Sequence, residues 1–217
     1  MNKRELFKRY ILLIIALFFM GLGIAFAKRA ELGVTPISSV PNVISYKFTF
    51  MTMGNWLTVW NMTMLLGQIV ILRKSFRVIG FLQIPVCFLL GYFTDFWLYI
   101  LNYIPADNYI VKLVMVFLGT AILGTGITLS FLANVVLNPG EAIVKVLAQA
   151  LKKDVGNFKI FFDVSCVSLS IILSLWFFDF SIVGTREGTI IAAFGVGMAV
   201  KYTKKKLSGA VERILLK

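Results

Sequence analysis

The sequence predicts an all-α integral membrane protein, with about six transmembrane helices and two short re-entrant or broken helices, built from two inverted repeats. Three observations lead there. Of 217 residues, 59% are hydrophobic and only 15% are charged, against roughly 45–50% and about 25% in soluble domains, and the mean hydropathy is +0.88. So little polar surface cannot cover a globule in water, so lipid is the solvent for much of the chain. Six runs are long or apolar enough to span, and the first part of the chain resembles the second. The same numbers exclude intrinsic disorder, collagen, coiled coils and disulfide-rich secreted scaffolds. Residues 1–217 read as a single transmembrane domain.

The basic segment 1–9 precedes an apolar run, 10–27, that ends in Ala25-Phe26-Ala27 and so imitates a signal-peptidase site. This run has a counterpart later in the chain, which signal peptides lack, and it reads as a retained first span. The other spans lie at about 55–72, 78–101, 113–132, 158–180 and 184–202. Stretch 34–50 holds Pro36, Pro41, Asn42 and Lys47; stretch 139–151 holds Glu141, Lys145 and Gln149. A spanning helix wants about 20 mostly apolar residues, so both stretches read as short helices surrounded by protein or a water-filled cavity. The last run is uninterrupted by charge only over 189–200, and completing its crossing requires 184–188, which places Arg186 and Glu187 in the interface or in a polar vestibule.

Residues 21–36 align with 124–139 at an offset of 103: Gly21 with Gly124, Gly23 with Gly126, Ile24 with Ile127, Ala30 with Ala133, and Pro36 with Pro139. After a one-residue gap, Gly54-Asn55 meets Gly156-Asn157, Trp60 meets Phe162 and Asn61 meets Asp163. Self-similarity in the same element order points to a duplication, with repeat 1 at about 10–104 and repeat 2 at about 109–205. If the two short stretches do not cross, each half has three spans and the halves are inverted. Then 17 of the 22 Lys and Arg face the cytoplasm, together with both termini. If both stretches cross, the halves are parallel and the charge count changes little. The inverted arrangement is preferred because the short polar stretches make poor spans.

Thr35-Pro36 and Asn138-Pro139 each place a capping residue before a proline, a pattern suited to a helix start. Two such starts brought together by pseudo-symmetry would direct positive dipole ends into the membrane interior, as broken helices do at transporter sites. Charges inside apolar runs mark a cavity or a partner: Asp163 with Lys159 at i−4, Glu141 with Lys145 at i+4, and Asp95. The candidate substrate-binding set is therefore Thr35, Pro36, Asn61, Asn138, Glu141 and Asp163 at the repeat interface, joined by Lys159, Arg186 and Glu187. The i, i+4 spacing favours pairing of both acids with their lysines, which leaves the dipole ends to attract a small anionic or zwitterionic solute.

The Gly-Val-Thr-Pro stretch at 33–36, Asn-Pro-Gly-Glu-Ala at 138–142, the Lys159…Asp163 helix entry and Arg-Glu-Gly-Thr-Ile-Ile at 186–191 together resemble the YczE/YyaS/YitT family of bacterial membrane proteins over about residues 10–205. That resemblance implies a multi-pass protein of the bacterial cytoplasmic membrane and implies no particular substrate.

Catalysis is not expected. With no histidine, Ser–His and Cys–His arrangements are excluded, and the Gly21/Gly23 and Gly124/Gly126 pairs lie within spans, where packing explains them. Cys87 and Cys166 sit in apolar runs and read as small hydrophobes, so neither a cofactor nor a metal site is expected. The net charge of +12 lies in short blocks between spans and sets topology instead of binding nucleic acid. The expected partners are the lipid bilayer and a small-molecule solute, with homo-oligomerisation open. Two function classes follow: a secondary transporter or channel, and a non-transporting membrane protein that regulates or scaffolds a partner.

Overall fold

The computed structural model describes residues 2–216; Met1 and Lys217, the ends of the 1–217 domain, lie outside the described residues. The described residues form eight α-helices and no strand: α1 Lys3–Ala30, α2 Pro36–Lys47, α3 Met53–Leu72, α4 Gln83–Leu101, α5 Tyr109–Ala133, α6 Pro139–Ala150, α7 Val155–Phe177 and α8 Glu187–Leu216. Two 3-10 turns, Arg73–Ser75 and Val78–Leu82, join α3 to α4. Five helices are long and apolar enough to cross a membrane: α1, α3, α4 with its leading turn, α5 and α7. Large apolar side chains such as Phe88, Phe117, Ile172 and Trp176 project from their outer faces, as helices surrounded by hydrocarbon require.

α8 differs from its sequence reading. It does not begin at residue 184 but at Glu187, and it gains its 30 residues by running on through the lysines to Leu216. Residues 181–186 are instead held outside the helix. Ser174 Oγ donates to the Ser181 carbonyl at 2.9 Å and accepts from the Val183 amide at 2.6 Å, Ser170 and Thr185 hydroxyls lie 2.9 Å apart, and Asn42 Nδ2 donates to the Gly184 carbonyl at 2.6 Å. α8 therefore starts where the Gly188 amide donates to the Leu32 carbonyl at 2.7 Å.

α2 and α6 have 12 residues each, which gives about 18 Å of helix, too little for a core of about 30 Å. Both begin with proline at the first helical position, where its missing N–H is not needed. α3 and α7 begin alike as well. The Thr52 hydroxyl accepts from the Asn55 amide at 3.1 Å, and the Asp154 carboxylate accepts from the Asn157 amide at 3.0 Å. α1 and α5 both end in a left-handed residue, Glu31 and Asn134. Lys112 donates to the Glu31 carboxylate at 2.8 Å and holds that carboxyl below its ordinary range.

α1 and α5 cross at bare backbone. A Cβ on Gly23 would lie 2.6 Å from the Gly119 carbonyl and the Leu123 amide; one on Gly126 would lie 2.9 Å from the Ala16 carbonyl and 2.8 Å from the Met20 amide. Later residues of α1 meet earlier residues of α5, so the two helices run antiparallel. Around this crossing the helices sort into two groups. α4 and α8 pack on the α1/α5 pair, while α2, α3, α6 and α7 pack on one another, and α3 against α4 is the main seam between the groups.

Because the backbone blocks any added side chain at the crossing, Gly23→Ala should destabilise the protein by about 1–3 kcal/mol, the usual cost of overpacking. Gly209→Ala meets open space and should be neutral. Thermal unfolding of both variants in one detergent, followed by size-exclusion fluorescence, checks the contrast.

Candidate functional site

Between the two groups lies a cavity of about 460 Å³. Its polar wall comes from the second group: Thr35, Pro36 and Ser38 of α2 and its cap, Asn61 of α3, Asn138 and Glu141 of α6 and its cap, and Lys159 and Asp163 of α7. The opposite wall is apolar and comes from the first group, through Met20 and Ile24 of α1, Leu90 of α4, Leu123 and Ile127 of α5, and Val196 of α8. Seven of the nine residues proposed from sequence, Thr35, Pro36, Asn61, Asn138, Glu141, Lys159 and Asp163, thus line one cavity. Arg186 and Glu187 do not. They lie exposed at the start of α8 and pair with each other at 3.3 Å. Adjacent residues inside a helix point about 100° apart, but Arg186 precedes the helix and is free to turn back onto Glu187.

The starts of α2 and α6 meet at this cavity. A Cβ on Gly140 would touch the Ile37 side chain at 3.1 Å, so the first turns abut. Thr35 and Asn138 occupy the cap positions, yet neither side chain caps its helix. The Thr35 hydroxyl donates instead to Ser38 Oγ at 3.1 Å. At α6 the Asn138 backbone carbonyl accepts from the Glu141 and Ala142 amides, both at 3.0 Å, while its side-chain oxygen is buried without a partner. Neither start is covered by a capping side chain, so the positive dipole ends of α2 and α6 adjoin the cavity.

The charged residues pair differently from their i, i+4 spacing. Lys159 Nζ donates to Asp163 Oδ1 at 2.8 Å, as expected, but Glu141 reaches across from α6 to the same ammonium at 3.8 Å. Lys145, the partner expected for Glu141, makes no ion pair among the described residues and stands exposed at the cavity mouth. One ammonium therefore serves two carboxylates. Near them Asn61, only 1% exposed, donates through Nδ2 to the Leu57 carbonyl at 2.9 Å, and its Oδ1 has no partner. Asp95, the third intramembrane acid, serves structure: it accepts from the Gly54 amide at 2.8 Å and from the Thr52 hydroxyl at 2.5 Å, closing the start of α3 from the side of α4.

The apolar wall was not singled out from sequence. A signal existed, because aligning the sequence with itself at an offset of 103 matches Ile24 with Ile127 and places Met20 opposite Leu123, but spanning helices are apolar on every side and nothing local separates a cavity-facing isoleucine from a lipid-facing one. Cys87 and Cys166 are buried free thiols outside the cavity lining. Among the described residues no group of three His, Cys, Asp or Glu could hold a metal ion.

The fold and cavity define a polytopic helical protein, with five helices long and apolar enough to cross a membrane and one polar-walled cavity among them. The chain belongs to the Family of unknown function (DUF6198), whose model matches residues 7–205. No curated protein and no solved structure matches it.

Removing the shared ammonium leaves two acids facing each other without a cation. Lys159→Met should therefore lower stability by about 2 kcal/mol, as loss of one partner from a part-buried ion pair does, and Lys145→Met should change it little. Adding Glu141→Gln and Asp163→Asn to Lys159→Met should restore most of the loss. Thermal midpoints of the three proteins in the same detergent decide this.

Proposed function

We propose that the chain is a secondary transporter or channel for a small, anionic or zwitterionic solute across the bacterial cytoplasmic membrane, with α8 as a sixth span, both termini cytoplasmic, and two inverted repeats, α1–α4 and α5–α8. The antiparallel crossing supports inversion. The Gly23 contacts to Gly119 and Leu123 become the Gly126 contacts to Ala16 and Met20 on shifting each residue by 103. A two-fold axis that relates antiparallel spans lies in the membrane plane, and halves related that way are inverted. Kinship with YczE/YyaS/YitT-type proteins rests on the four short motifs.

A single observation carries transport over scaffolding: two corresponding interfaces stand in opposite states. In the first half, α3 and α4 are sealed. A Cβ on Gly54 would strike the Gly91 carbonyl, one on Gly91 would strike Thr58 Oγ1, and Thr58 donates to the Cys87 carbonyl at 3.2 Å. In the second half, α7 and α8 scarcely touch. Gly156 meets no atom of α8, Gly197 has nothing within 4 Å, and the cavity residues Val155 and Ile160 are exposed. Exchanging the two states by rocking one four-helix group on the other would open the same cavity to the opposite side of the membrane, which is alternating access. The cavity now opens beside the exposed Lys145, on the side that the charge distribution makes cytoplasmic.

Counterflow in proteoliposomes over a panel of small anions and zwitterions tests the reading directly. At least one solute should exchange, and Asp163→Asn should reduce that exchange severalfold at equal reconstitution. No exchange by any member of a broad panel would contradict transport. Ser75→Cys should react with an impermeant maleimide only in inside-out vesicles; labelling in intact cells would contradict the inverted topology.

A further inference from the structure

The solute class follows from a balance of charge and of hydrogen-bonding groups in the cavity, on the reading that this cavity is the transport site. Glu141, Asp163 and Lys159 sum to one negative charge if each is ionised, and Lys145 is outside the balance because it stands exposed at the mouth. The abutting starts of α2 and α6 each add about half a positive charge. Negative and positive contributions then cancel. A net anion or a net cation entering this space would carry an uncompensated charge out of water, which is costly, whereas a solute with both charges meets a complement for each.

The hydrogen-bonding groups divide in the same way. Acceptors are in excess around Lys159 and Asn61. Lys159 is the one side-chain cation for two carboxylates, and Asn61 Oδ1 and Asn138 Oδ1 are buried with no partner, in residues 1% and 6% exposed. Buried acceptors without donors are rare and costly; here the residues that carry them line a cavity. A primary ammonium brings three donors to such a set. At the starts of α2 and α6 neither Thr35 nor Asn138 caps its helix with its side chain, and a carboxylate suits the positive dipole end of a helix start. Opposite both lies the apolar wall of Met20, Ile24, Leu123, Ile127 and Val196.

We propose that the cavity between the α2/α6 helix starts and the Glu141–Lys159–Asp163 cluster binds a small zwitterion that carries a primary ammonium, a carboxylate and an aliphatic body. The ammonium lies against Asp163 and Asn61, the carboxylate against the two helix starts, and the body against α1 and α5.

The test uses norleucine, hexanoate and pentylamine, which share an aliphatic body and differ in which charged groups they carry. Binding to the full-length protein in nanodiscs is measured by calorimetry, and counterflow is measured with the same protein in proteoliposomes. Norleucine should bind at least about tenfold more tightly than either single-charge mate, the worth of one good polar contact. Asn61→Leu keeps the volume and removes an acceptor; it should weaken norleucine about tenfold while leaving the thermal midpoint near that of the parent. Equal or tighter binding of hexanoate or pentylamine, no binding of norleucine, or unchanged norleucine affinity in Asn61→Leu would each overturn the zwitterion assignment. Norleucine binding without counterflow would uphold this site and overturn transport. Counterflow of hexanoate alone would do the reverse.

Discussion

Two spanning helices can touch backbone to backbone only where at least one of them carries no side chain at the contact, and α1 and α5 do so at Gly23 and Gly126. In lipid, hydrophobic association gives helices little reason to prefer one neighbour, so close packing at small residues and interhelical polar contacts decide who packs on whom. Each of the two glycines rests on the helix that carries the other. That crossing fixes the antiparallel pairing of α1 and α5, seats α4 and α8 on the pair, and leaves α2, α3, α6 and α7 as a second body with its own contacts. The cavity is the space that these two bodies do not fill.

The division of labour between the bodies follows from what each must satisfy. Helix ends at membrane depth expose N–H groups that lipid cannot hydrogen-bond, so they are tolerated only beside protein or a polar cavity. Putting both broken helices and all the cavity's charged residues in one body concentrates that cost in one place, and the other body supplies an apolar counter-wall. Lys159 holds the polar body together across helices: its ammonium lies 2.8 Å from Asp163 on its own helix and 3.8 Å from Glu141 on α6. A lysine shared in this way is sensitive to whatever else enters the cavity, because any new cation competes with it for the same two carboxylates.

Much of this was legible in the sequence because it depends on local chemistry. The proline starts at 36 and 139 and the Gly-Asn entries of α3 and α7 are short local patterns, each written twice along the chain. Residues next to those starts, Thr35, Asn138 and Glu141, reach the cavity for the same reason. What failed depended on distance along the chain. Glu141 pairs with Lys159, 18 positions on, instead of Lys145, because α6 and α7 face each other across a short connection. Arg186 and Glu187 were drawn into the site by the need for a full-length last span, but α8 finds that length at its C-terminal end, and the 181–186 segment is held aside by Ser170, Ser174 and Asn42. The seam between α3 and α4 was invisible for a simpler reason: Gly91 carries no pattern of its own, and the Gly54-Asn55 pattern does not name Gly91 as a partner until the two are seen to meet.

The central claim is that the α3/α4 and α7/α8 seams are equivalent gates that open in opposition. Spin-label pairs spanning each seam, in nanodiscs, measure this directly by pulsed electron–electron resonance. Two distance populations are expected at both seams, with conditions or solutes that lengthen the α3/α4 distance shortening the α7/α8 distance in the same sample. A single fixed distance at both seams, or changes in the same direction at both, would contradict the account.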